Sequence, residues 1–118
     1  MKKVLCGLLV VLVMVGVCLA EGTIYKIKST HTSDALVENG RGILGGIIIV
    51  TDGTNACTVS IYDNTAASGD KFFPTIIVPA SYTSGFAIGV DTEYYNGIYV
   101  DITTSGTCTY TVLRNKKP

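Results

Sequence analysis

The sequence predicts an all-β protein, a single antiparallel β-sandwich or jelly-roll-like domain of about seven to eight strands that follows an N-terminal signal helix. Four segments alternate strictly between apolar and polar residues, as strands with one buried face do. Ile, Val, Thr, Tyr and Gly dominate after the first 20 residues, whereas helix-favouring composition is nearly absent there. We therefore expect a signal peptide over residues 1–20 and one β-domain over residues 21–118.

The first 20 residues have the layout of a secretory signal peptide. Two lysines precede an uncharged apolar run over residues 4–17, and the small residues Cys18 and Ala20 occupy positions three and one before a cleavage site. We expect cleavage between Ala20 and Glu21, followed by secretion to the periplasm or the extracellular space. The chain would then contact the membrane only transiently, through the signal peptide.

Two other interpretations of this segment stay open. Residues 4–20 carry no charge and reach the lower limit of about 17 residues for a membrane-spanning helix, so the segment also fits an uncleaved anchor. A lipidated Cys18 is the other alternative, although Val15-Gly16-Val17 is only a loose match to the usual approach to such a cysteine. The small-residue cleavage site favours the signal peptide.

The expected strands follow the pattern of apolar residues and turns. In chain order they cover residues 23–29, 35–38, 43–50, 56–62, 72–78, 85–90, 97–103 and 107–113. Residues 35–38 contribute only if the fold has eight strands. In the four alternating segments the expected inward-facing residues are Cys57, Val59, Ile61, Phe86, Ile88, Val90, Ile98, Val100, Ile102, Cys108, Tyr110 and Val112.

Glycine and proline positions refine these strands. Residues 43–50 and 72–78 are apolar almost throughout, which suits central or doubly covered strands. Pro74 cannot donate to a strand ladder, so it predicts an edge or a bulge in the second run. Gly45-Gly46 predicts a β-bulge rather than a ligand-facing kink. Turn sequences follow at residues 52–55, 96–97 and 105–106.

Two cysteines of the expected mature chain predict a disulfide. Cys57 and Cys108 are both in phase with the inward set, and an exported protein meets an oxidising compartment. The alternative is a pair of buried thiols. A bond would close a loop of about fifty residues and stabilise the fold by on the order of 4 kcal/mol.

Charge argues against nucleic acid as a partner. Residues 21–118 carry seven basic and nine acidic side chains, because two of the nine lysines and arginines lie in the signal peptide. The cationic cluster of Arg114, Lys116 and Lys117 is most simply a solvated tail.

The motifs that suggest catalysis lack the required context. Gly40 to Gly45 spell G-x-G-x-x-G, but a strand is expected after them where a phosphate-binding helix should begin. Ser68 and Lys71 match S-x-x-K in an expected loop rather than on a helix. We therefore expect no enzyme activity, no catalytic residues and no cofactor.

Metal binding has equally little support. His31 is the only histidine, and its polar surroundings predict a solvated loop residue. The acidic loop residues, which lack EF-hand spacing, are Asp52, Asp63, Asp70, Asp91 and Glu93. We expect no metal site.

A resemblance covers residues 40–113. The segments IYDNTAASGDK at residues 61–71 and NGIYVDI at residues 96–102, with the threonine-rich strand that ends at Leu113, are similar to those of short β-rich virion or hypothetical proteins of tailed bacteriophages. The resemblance implies a β-domain that decorates a particle or associates with a fibre, without enzyme activity.

These observations favour a non-catalytic exported structural or interaction protein, as a subunit of an extracellular or particle surface assembly. Edge strands are expected to bind another copy or a repetitive partner. The candidate edges are residues 107–112, with outward threonines and no lysine, and residues 23–29, short enough for strand exchange. The alternative is a secreted glycan-binding module; its stacking residues would be Tyr82, Tyr94, Tyr95 and Tyr99, although the chain lacks tryptophan.

Overall fold

The computed structural model describes residues 25–117, which form strands and loops. The strands are β1 (Ile27–His31), β2 (Ala35–Asn39), β3 (Gly42–Thr51), β4 (Cys57–Tyr62), β5 (Ile76–Val78), β6 (Phe86–Tyr94), β7 (Gly97–Thr103) and β8 (Cys108–Lys116). The all-β prediction is confirmed. The expected signal peptide lies outside the described residues, and within residues 25–117 no helix is long and apolar enough to cross a membrane.

The strands form two antiparallel sheets of four. Sheet A has the order β1-β8-β3-β6, and sheet B has the order β2-β7-β4-β5. Four of the strand pairs are nested along the chain: β1 with β8, β2 with β7, β3 with β6, and β4 with β5. The chain therefore doubles back on itself about the β4–β5 connection.

Both sheets contribute to one hydrophobic core, as in a β-sandwich. The fully buried apolar residues are Leu44, Ile47, Ile49, Cys57, Val59, Ile61, Val78, Tyr94, Ile98, Val100, Cys108, Tyr110 and Val112. The predicted inward faces of β4 and β8 are confirmed, and on β7 Ile98 and Val100 are buried whereas Ile102 is half-buried against the core. On β6 the predicted residues Phe86, Ile88 and Val90 are only half-buried, because β6 is the last strand of its sheet.

The predicted strand boundaries differ most where a strand lies at an edge. β5 is three residues long and lies at the edge of sheet B, so the edge predicted from Pro74 is confirmed and a central position for residues 72–78 is wrong. The expectation that residues 107–112 form an edge is also wrong, since β8 lies between β1 and β3. The first two residues of the expected first strand, 23 and 24, lie outside the described residues, and β1 is observed from Ile27 to His31.

The predicted disulfide is confirmed. Cys57 at the start of β4 is bonded to Cys108 at the start of β8, with their Cα atoms 6.1 Å apart. Because β4 and β8 belong to different sheets, the bond links the two layers through the core. A buried disulfide is compatible with an oxidising periplasmic or extracellular environment.

Two polar residues lie deeper than predicted. Arg114 is not part of a solvated tail: it continues the inward phase of β8, is buried, and donates from Nε to Glu38 Oε2 at 2.8 Å. His31 is not a loop residue: it ends β1, is half-buried, and stacks on Tyr110 with ring centroids 5.5 Å apart. Both differences arise because the strands extend beyond their predicted ends.

Candidate interaction surface

Each sheet ends in two edge strands, and edges determine which surfaces are available to another chain. In sheet B the edges are β2 and β5; in sheet A they are β1 and β6. Natural proteins block such edges with prolines, charges, bulges or short strands. The four edges differ in how far this protection extends.

Three edges carry such protection. β5 is short and lies between Pro74 and Pro79. β2 has a register shift between Leu36 and Glu38. β1 has five residues and includes the exposed Lys28. Extended pairing with a further strand is therefore disfavoured at these three edges.

The first part of the β6 edge is the exception, whereas its last four residues include the carboxylates Asp91 and Glu93. β6 has nine residues, and its first five, FAIGV at residues 86–90, contain neither a charge nor a proline. Ala87 and Gly89 are exposed on the outer face of sheet A, whereas Ile88 and its neighbours of the same phase are half-buried toward the core. Within residues 25–117 no strand pairs with the outer side of β6.

One contact with β3 shows which backbone N–H and C=O groups of β6 point toward the outer edge. A Cβ atom placed on Gly46 of β3 would lie 2.3 Å from the carbonyl oxygen of Ile88, so this carbonyl points toward β3. Backbone groups alternate between the two sides of a strand. The N–H and C=O groups of Ala87 and Gly89 therefore point toward the outer edge.

A shallow apolar groove lies beside this edge on the outer face of sheet A. Its volume is about 180 Å³, and its lining includes Tyr25, Ile48, Ala87, Gly89 and Leu113. The floor is formed by the glycine pair at residues 45–46, where the register of β3 shifts against both neighbouring strands. The predicted β-bulge is confirmed.

Tyr25 covers part of that bulge. A Cβ atom on Gly45 would lie 2.7 Å from the Tyr25 ring, so the glycine permits the ring to lie against the backbone. The Tyr25 hydroxyl donates to the carboxylate of Asp91, and this hydrogen bond, with partial burial, raises the pKa of Tyr25. Asp91 has a positive φ of 48°, which marks an irregularity in β6 opposite the bulge.

Two acidic loop residues have structural roles. Asp63 Oδ1 accepts hydrogen bonds from the backbone N–H groups of Tyr95 and Asn96, both at 2.9 Å. Asp52 accepts from the backbone N–H groups of Thr107 and Asn55, and these bonds hold its pKa well below the ordinary value. Asp63 thus joins the β4–β5 loop to the β6–β7 turn, and Asp52 joins the β3–β4 loop to the β7–β8 loop.

The other three acidic residues are separate from these two, and the expectation that Asp91 and Glu93 lie in loops is wrong, because β6 extends through both. Glu93 accepts a hydrogen bond from Lys117 at 2.9 Å, which lowers the pKa of Glu93. Asp70 is exposed in the loop between β4 and β5. Among residues 25–117 no three His, Cys, Asp or Glu side chains are grouped as a metal site would need.

The four predicted stacking tyrosines are dispersed. Tyr94 is fully buried in the core, so its prediction as a ligand-stacking residue is wrong; the inward phase of β6 extends to it. Tyr95 is 57% exposed in the β6–β7 turn beneath Arg41. Tyr82 lies in the β5–β6 loop, edge-on to Phe86. Only Tyr99 lies on a sheet face, on the outside of sheet B.

Tyr99 belongs to a row of side chains across sheet B that was not predicted. It pairs with Leu36 of β2 on one side and with Tyr62 of β4 on the other. Lys71 Nζ lies 5.7 Å from the centroid of the Tyr62 ring. The outward phase of Tyr62 is visible in the sequence, but its alignment with Tyr99 depends on the strand register, which is not.

The two catalytic-motif matches have structural explanations. Gly40 to Gly45 lead directly into and along β3, so no helix N-terminus follows them. Ser68 and Lys71 lie in the loop between β4 and β5, where Lys71 Nζ donates to Thr75 Oγ1 at 2.8 Å. Neither arrangement has the geometry that its motif requires.

Comparisons with protein-family models, curated proteins and solved structures found no match for the chain.

Proposed function

We propose that this chain is an exported, non-catalytic structural or interaction protein that acts as a jelly-roll domain through an open sheet edge. The four nested strand pairs distributed over two four-stranded sheets support the jelly-roll assignment. Jelly rolls serve as capsid and lectin domains, so the fold suits assembly on a particle or surface.

The outer edge of β6 is the observation that carries this proposal. Three edges are short, bulged or flanked by charge or proline, whereas residues 86–90 present an uncharged edge with backbone groups directed outward. A row of such groups is a template for another strand. The partner is another copy or a repeated strand on a surface assembly, and the phage virion role remains a variant of the same proposal.

Export is the second part of the proposal. It is supported by the lysine-apolar-small layout of residues 1–20 and by the buried Cys57–Cys108 bond, which needs an oxidising compartment to persist. Protein recovered from the periplasm or medium should begin at Glu21. An intact mass that includes residues 1–20 would instead indicate a retained anchor, and a lipid adduct would indicate acylation of Cys18.

The experiment that tests the edge compares two lysine variants of the secreted protein. Ala87→Lys places a charge on the exposed face of the β6 edge, and Thr109→Lys places one on the outer face of β8, in the interior of the same sheet. Light scattering and electron microscopy at rising concentration, alone and with host surface material, should show association lost only in Ala87→Lys. Equal association in both variants, or none in the wild type, contradicts the proposal.

A second candidate function rests on the outer face of sheet B. Leu36, Tyr99 and Tyr62 form an aromatic and apolar row beside Lys71, and Asp101 neighbours the row on β7. Sugars bind to such combinations of aromatic faces and polar groups. This candidate predicts that Tyr99→Ala abolishes binding on a glycan array while Tyr82→Ala, at a distant loop, leaves it unchanged.

A further inference from the structure

We propose that the β6 edge pairs with β6 of a second copy, antiparallel about a two-fold axis at Ile88, which joins two A sheets into one sheet of eight strands. This inference rests on the proposed function and names its partner and register. It follows from the sequence of β6, from the direction of its backbone groups, and from the exposure of its side chains.

The backbone groups fit this register. In an antiparallel pair centred on residue 88, Ala87 of one copy faces Gly89 of the other. The two-fold axis repeats this contact, so Gly89 of the first copy also faces Ala87 of the second. The N–H and C=O groups of these two residues point toward the outer edge, as the Ile88 carbonyl position shows. Two such facing pairs exchange about four hydrogen bonds, and Ile88 faces its own counterpart in the closer, non-bonded position.

The side chains are also self-complementary. Phe86 of one copy faces Val90 of the other, and both are half-buried at the margin of the core, so pairing extends the apolar contact of both sandwiches. On the outer face the small residues Ala87 and Gly89 meet, and a Cβ atom on Gly89 would contact nothing within 4 Å. Space therefore remains on that face for close approach.

Charge favours the same register. In this register the facing segments are residues 86–90 of each copy, so Asp91 and Glu93 lie beyond the paired residues and no carboxylate lies opposite another. Like charges directly opposite each other would destabilise the pair. A contact formed by one short edge buries less than a standard interface of about 1,600 Å², so the dimer is expected to be weak and concentration-dependent.

Paired cysteines test the register directly in the otherwise unmodified mature chain. Ala87→Cys and Gly89→Cys are made separately, mixed in equal amounts at high concentration, and oxidised mildly while the Cys57–Cys108 bond is monitored by peptide mass. Facing residues in this position lie about 5.5 Å apart at Cα, within the range for a disulfide. Residue 87 and its own counterpart lie beyond that range.

The expected product is a covalent 87–89 heterodimer in several-fold excess over the two homodimers, with no dimer from Thr109→Cys in the interior of the sheet. Homodimers in equal yield, or no cross-link while wild-type sedimentation shows a monomer, would overturn the pairing. Association that Ala87→Lys abolishes without any 87–89 cross-link would reject this register and partner but keep the proposed function. Association unaffected by Ala87→Lys would reject the proposed function itself.

Discussion

Arg114 of β8 donates through Nε to Glu38 of β2 at 2.8 Å and so connects the two sheets through a buried ion pair. The side chains are only 6% and 13% exposed. Arg114 follows Cys108 by six residues on the same strand, a distance of about 20 Å. The sandwich is thus linked near one end of β8 by a disulfide and near the other by an ion pair.

Removing the charge of Glu38 should destabilise the fold. Glu38→Gln leaves the Arg114 guanidinium buried without its carboxylate, and breaking a buried pair in this way costs about 3 kcal/mol. Urea denaturation measures the change. The control is Glu93→Gln, which breaks the exposed ion pair with Lys117 and should leave the unfolding midpoint unchanged. Equal effects of the two variants would contradict a structural role for the Arg114 pair.

Acid should destabilise the protein through the same carboxylate. Burial alone would raise the pKa of Glu38, but hydrogen bonds from Arg114 and Lys116 outweigh it and hold the pKa below its ordinary value. The stabilisation is therefore complete above the unfolded pKa of about 4.3 and is lost as the pH falls through the lower folded pKa. Melting temperatures between pH 7 and pH 3 should fall less steeply in Glu38→Gln; parallel profiles would argue against this assignment.

The disulfide should contribute strongly to stability. Cys57 and Cys108 are 51 residues apart in the chain, and the chain-entropy model gives about 4 kcal/mol for a loop of this length. The double variant Cys57→Ser with Cys108→Ser should lower the midpoint of urea unfolding accordingly. Peptide mapping without reductant should recover the two cysteines linked. Quantitative alkylation of both in native secreted protein would show that the bond is absent.

The two glycines at the β3–β6 contact should respond differently to a methyl group. Gly46→Ala brings a Cβ atom to within 2.3 Å of the Ile88 carbonyl oxygen, which is backbone and cannot move away without disturbing β6. Gly89→Ala, at the facing position on β6, meets open space and should be neutral or slightly stabilising. Denaturation at low protein concentration compares them. A neutral Gly46→Ala would show that the bulge is less tightly packed than described.

The sequence predicted what depends on local alternation. Burial of one face follows from the side-chain period of two. The sequence could therefore predict that Cys57 and Cys108 point inward and that residues 97–103 form β7. The inward position of Arg114 could have been predicted from the same phase, because Arg114 lies an even number of residues from Cys108. Its interpretation as part of a solvated tail gave composition more weight than phase.

Strand neighbours could not be predicted in this way. The interior position of β8 and the alignment of Tyr62 with Tyr99 depend on pairings between segments far apart in the chain. Glu38 and Arg114 are separated by 75 intervening residues, so nothing local indicates their contact. The edge position of β6 likewise depends on how the other seven strands pair with one another.

Amide hydrogen exchange at Ala87 and Gly89 tests the central claim, an available β6 edge, most directly. Residue-resolved exchange of the mature protein is measured by NMR at low and at high concentration, with Thr109 in the sheet interior as the internal reference. We predict fast exchange at Ala87 and Gly89 in dilute protein and at least tenfold slower exchange when the protein is concentrated, with Thr109 slow throughout. Exchange at Ala87 and Gly89 that is already slow in dilute protein, or that stays fast at every concentration, would contradict it.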